Sequence, residues 1–193
     1  MRSLNKYARH AVSAVFFSGL LVSLQLKADT TCSNECKINV TFQGVYNDET
    51  CNISVNSGTY SETVLLPTIS TTVLQTNGNE AGNKEFDITL KDCPSDRVVA
   101  VTFVNNMSMV DSTTGNLTNT VGTDYSENVQ VRIRKENGTQ IVIDDPTTGQ
   151  DYAIPAAGGD VTHQYTASYF ANGSDAVTAG MLKTLAGVEL VYK

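Results

Sequence analysis

The residues with most chemical potential in this chain are four cysteines, a histidine and two adjacent carboxylates. None sits in a pattern that catalysis requires. Cys32, Cys36, Cys51 and Cys93 would hold zinc only with further Cys or His at ligand spacing, and the only histidine beyond residue 28 is the distant His163. Asp144 and Asp145 stand directly before Pro146, a context in which Asp is favoured for local turn hydrogen bonds. Glycoside hydrolysis instead needs two carboxylates facing each other across a cleft. His163 opens a strand-like run with no cysteine nearby and no identifiable serine partner, so a solvated or core-edge imidazole is the expected role. No glycine-rich loop joins a strand to a helix to cradle phosphate. Tryptophan is absent, which leaves sugar stacking to the eight tyrosines. Asn-x-Ser/Thr triplets begin at Asn39, Asn52, Asn106, Asn116, Asn137 and Asn172 and reflect a composition rich in Asn and Thr. The expectation is a protein without catalytic residues, metal or cofactor.

The elements that would position these residues are strands. Alternating or apolar runs cover 51–55, 63–67, 85–93, 97–104, 128–136, 139–143, 162–171 and 186–193, as in Phe86/Ile88/Leu90, Val99/Val101/Phe103 and Val129/Val131/Ile133. Turn-forming stretches such as NSG, DSTTGN, DDPTTG, AAGGD and ANGS separate them. Asn137-Gly138, between two strand-like runs, is the strongest hairpin signal in the chain. Residues 173–185 have room for a turn of helix, weakened by Gly and Thr. Seven or eight short strands with regular turns predict an all-β sandwich.

Residues 1–28 are set apart from the fold. Arg2, Lys6 and Arg9 precede the apolar run at 11–26, and Leu26-Lys27-Ala28 offers a cleavage site before Asp29, the plan of a secretory signal peptide. Removing this segment takes the formal charge from −7 to about −11. A surface that acidic disfavours nucleic acid, whose phosphates need Lys and Arg. Export also makes the four cysteines disulfide candidates, with three possible pairings.

The remaining oddity is KINVTFQGVY at 37–46. Ile38, Val40, Phe42, Gly44 and Tyr46 alternate with polar residues, as in a strand with one buried face. A segment beside a freshly cut terminus is usually frayed, so this core-facing pattern needs a core to enter.

Several features then fall into one register and resemble the pilin subunits of bacterial chaperone–usher fimbriae of the type 1 class. Gly44 precedes Cys51 by seven residues; FDITLKDC (86–93) looks like the family's second strand ending in a cysteine; VQVRIRKENGTQI (129–141) resembles its following hairpin. Gly180 is fourteenth from the end and Tyr192 is penultimate, both signature positions of that family.

The resemblance implies an incomplete immunoglobulin-like β-sandwich, the pilin fold, completed by a donor strand from a neighbouring subunit. Residues 29–50 would be the N-terminal extension, with Ile38, Val40, Phe42, Gly44 and Tyr46 as the donor strand, and 51–193 the pilin domain. Cys51 and Cys93 match the family's disulfide pair. Cys32 and Cys36 depart from its usual pattern, and a local bridge, free thiols or an inter-subunit bridge are all open to them. Gly180, Val188, Leu190, Tyr192 and the Lys193 carboxylate would border the groove or meet a periplasmic chaperone. Implied partners are identical or related pilin subunits, that chaperone, an outer-membrane usher and a host receptor of unknown kind. Implied location is a fimbrium on the cell surface, reached through the periplasm. Major shaft subunit is the first reading of its position, minor, adaptor or terminating subunit the second. A stand-alone secreted binding module with a complete sandwich, folding unaided as a monomer, is the alternative from another class.

Overall fold

The computed structural model describes residues 50–106 and 109–193. They form ten strands: β1 (Asn52–Val55), β2 (Glu80–Lys91), β3 (Arg97–Asn105), β4 (Val110–Asp111), β5 (Asn116–Thr118), β6 (Val129–Lys135), β7 (Gln140–Ile141), β8 (Gln150–Ile154), β9 (Val161–Ala171) and β10 (Ala186–Tyr192). The larger sheet runs β1-β2-β9-β6-β5-β4, with β7 also on β6; the smaller runs β10-β3-β8. Every strand pairing is antiparallel.

The alternating residues meet between the sheets. Phe86, Ile88 and Leu90 of β2, Val131 and Ile133 of β6, and Tyr165 of β9 face Val99, Val101 and Phe103 of β3 and Tyr152 of β8 in one buried cluster. The rings of Phe86 and Tyr165 stack at 5.5 Å, and Phe103 meets Tyr165 edge-on at 5.6 Å. Tyr165 and Tyr152 bring hydroxyls into this core. They bond to each other at 3.0 Å, and Tyr152 donates to the Ile88 carbonyl. Two buried phenols are thereby satisfied, as burial of polar groups requires.

The sandwich predicted from the sequence is present, with different edges. β2 begins five residues earlier than the alternation suggests, because Gly82, at φ +66°, makes a bulge that carries the strand past its polar start. A Cβ there would lie 2.6 Å from the Tyr169 ring. Residues 63–67 enter no ladder among the described residues, and Pro67 has no N–H to give. Of the expected 139–143 strand only Gln140–Ile141 pairs. The Asn137-Gly138 turn closes the β6–β7 hairpin, with Gly138 at φ +80°. Residues 173–185 contain no helix; the helical turns are 3-10 turns at Thr71–Leu74 and Pro146–Thr148. β4, β5 and β8 lie in stretches too short or too polar to announce themselves.

The outer face of the larger sheet is also partly closed, by polar residues covering one another. Gln130 is buried, accepts from Thr114 and Asn116, and donates to Asp111. Arg132 donates to Asn116 and lies 3.7 Å over the Phe170 ring. Arg134 grips both oxygens of Glu80 at 2.9 and 2.6 Å, and Ser168 donates to the same carboxylate.

Candidate functional site

The two carboxylates and the histidine that opened the sequence reading have structural partners. Asp144 accepts from the Asn105 N–H at 2.7 Å. Asp145 caps the 3-10 turn by accepting from the N–H and hydroxyl of Thr147, and the hydroxyl bond leads in holding its carboxyl below the usual range. His163 rests edge-on against Tyr152 at 4.5 Å, with Nδ1 3.8 Å from Glu136. Asp144 and Asp145 border one open depression, and His163 is not among the residues that line it.

The feature with binding potential is a seam between the sheets. β10 pairs with β3 along one edge, Val188 opposite Phe103 and Leu190 opposite Val101. No described strand pairs with its other edge. Ala186, Val188 and Leu190 pack on the core yet stay only half-buried. In the larger sheet, β1 is likewise paired on one side, with β2. The chain then continues through segment 61–69, whose Val64 and Leu66 rest half-buried on the same core. Free edges at β10 and β1 and half-buried Val64, Leu66, Val188 and Leu190 thus share one core, the combination that accepts an added strand.

One end of the seam is tied. The Tyr192 hydroxyl accepts from the Cys51 N–H at 2.7 Å, joining the last strand of the smaller sheet to the start of β1 in the larger. Cys51 is bonded through sulfur to Cys93, just beyond β2. Lys193 continues the β10 ladder by donating its N–H to Val98, and its ammonium lies 2.5 Å from Asp151.

Of the residues singled out from sequence, the structure gathers Val188, Leu190 and Tyr192 on β10, with Lys193 directly after it, and joins Cys51 to Cys93. Gly180 precedes β10 in the chain. It packs against backbone, where a Cβ would stand 2.5 Å from the Ser126 nitrogen. Ile38, Val40, Phe42, Gly44, Tyr46, Cys32 and Cys36 lie outside the described residues. Val64 and Leu66 were absent from the sequence-based site, although their spacing two apart before Pro67 was the available signal.

Residues 24–193 match the family model described as fimbrial protein. The chain belongs to the fimbrial protein family. This fimbrial subunit is 31% identical to the F17 fimbrial protein of Escherichia coli, over 92% of this chain and 97% of the relative. It is 29% identical to the major fimbrial subunit SMF-1 of Stenotrophomonas maltophilia, over 86% and 99%. Among solved structures, the P pilus rod subunit PapA aligns at a TM-score of 0.57 with 20% identity, covering 74% of this chain and 99% of that one. A type I fimbria protein of Burkholderia pseudomallei aligns at 0.51 with 25% identity, over 74% and 94%. The fold is thus the immunoglobulin-like sandwich of such subunits, and the protein is a structural fimbrial subunit.

Proposed function

We propose that this fimbrial subunit polymerises by strand donation. Residues 37–46 of one copy enter the seam between β10 and segment 61–69 of the next. Ile38, Val40, Phe42 and Tyr46 point into that neighbour's core, and Gly44 sits where a side chain has no room. The observation that carries this reading is the unpaired β10 edge, whose half-buried Val188 and Leu190 face the same core as Val64 and Leu66. Each large apolar donor residue contributes roughly 1.5–3 kcal/mol on burial, and the backbone ladder supplies the rest of the affinity.

On this reading residues 1–28 are a signal peptide and 29–50 the donor extension. A periplasmic chaperone holds the open seam and the Lys193 carboxylate before an usher exports the subunit to the surface. The relatives named as major fimbrial subunits favour a place in the shaft.

Expression of the mature chain with and without the cognate chaperone tests the proposal. The subunit should accumulate only with the chaperone, and deletion of residues 29–46 should leave chaperone binding intact while abolishing onward polymerisation. A deletion variant that still polymerises, or a stable lone monomer, overturns it.

A further inference from the structure

Beyond the donated strand, the topology sets which ends of two subunits must meet. The registers place Cys51, Cys93, the start of β3, the end of β8 and Tyr192 at one pole. Asn105, the start of β10, the start of β6 and the end of β9 lie at the other. A strand added to β10 in the antiparallel sense of every ladder in this fold ends beside Ala186, at that second pole. Between Tyr46 and Cys51 lie only residues 47–50, a span of at most about 17 Å. The Cys51 pole of the donor is therefore held close to the second pole of the acceptor.

That second pole presents apolar side chains on a firm base. Val121 is 95% exposed and Met181 54%. They stand on two segments laced together: Thr120 donates to the Lys183 carbonyl, Met181 donates to Asp124, Ser126 donates to Met181, and Asn119 reaches both Ser126 and Met181. Gly180 allows this lacing by close approach to Ser126. The facing Cys51 pole has a shallow, open and mostly polar depression of about 510 Å³, in which Pro94, Ala156 and Ala157 supply the apolar part beside Thr50, Asp92 and Ser95. Exposed Val121 and Met181, opposite a pole whose Pro94, Ala156 and Ala157 the short 47–50 connection brings near, suit a second copy of this chain.

We infer that Val121 and Met181 form a second contact between successive subunits, docking on the Pro94/Ala156–Ala157 pole of the copy that donates its strand. This rests on the strand-donation reading and adds a body-to-body surface to it. The contact is heterologous, so it propagates along a fibre without closing.

The test uses the full mature chain in complex with its chaperone. One readout is displacement of the chaperone by a synthetic peptide of residues 37–46; the other is polymerisation by intact subunits. Val121→Asp and Met181→Asp should leave peptide displacement within about twofold of the unmodified chain and slow polymerisation about tenfold, the effect of one buried apolar side chain. Polymerisation within twofold overturns the inference. Slowing of both readouts assigns the residues to the seam and also overturns it. Failure of the peptide to bind the unmodified subunit overturns strand donation itself, a result distinguishable from the other two.

Discussion

At the scale of single residues, the least replaceable side chain is the missing one at Gly180. Its would-be Cβ meets backbone atoms of Tyr125 and Ser126, which cannot rotate aside. Gly180→Ala should destabilise the subunit by about 1–3 kcal/mol, read as a lower denaturant midpoint of the chaperone-bound protein. Titration acts on other residues. The Arg134 guanidinium holds the Glu80 carboxyl below its ordinary value of 4.5, with burial opposing and Ser168 and Arg132 assisting. A lowered folded pKa stabilises above the unfolded value and is lost as pH falls through the folded one, so the Glu80 contribution should fade progressively as pH drops below its ordinary value of 4.5. Burial pushes the Tyr165 and Tyr152 hydroxyls up. For a raised pKa the sign reverses, and stability should fall as pH climbs above about 10. A midpoint measured against pH checks both arms, and Tyr165→Phe should flatten the alkaline one.

At the scale of elements, the strand-to-strand bond at Cys51–Cys93 closes a sequence separation of 42 residues. On the chain-entropy account the double Cys51→Ser/Cys93→Ser change should cost about 4 kcal/mol, seen as loss of periplasmic subunit unless the chaperone is in excess. Long alternating strands were legible in the sequence because one face of each is apolar, as in β2, β3, β6 and β9. Residues 63–67 carry the same signature, yet a ladder also needs a partner and N–H groups, neither visible in local alternation. Asn116 and Gln130 are polar and yet buried; only the fold shows that they satisfy one another. The alternation of β10 was legible in the sequence; its bordering role is what the family resemblance implies. The lacing of 119–126 to 180–185 depends on contacts distant in sequence, which no local pattern announces.

At the scale of the whole molecule, the strand-donation reading, with the free β10 edge and the core-like pattern at 37–46, predicts dependence on a partner. Leu190→Asp places a charge where a donated strand would pack. It should reduce fibre yield at least tenfold while the Cys51–Cys93 bond still forms, measured by fibre purification and thiol labelling of the chaperone-bound subunit. Fibres in normal yield would separate the seam from assembly.

The sulfur bridge has a mechanical consequence for a filament in flowing liquid. On the strand-donation reading, tension arrives through residues 47–50 and reaches the domain at Cys51. The covalent link passes that pull directly to the end of β2, which is flanked by β1 and β9. β1, only four residues long, is thus bypassed and spared from unzipping one hydrogen bond at a time. The load spreads instead across the long β2–β9 ladder, whose bonds must yield together.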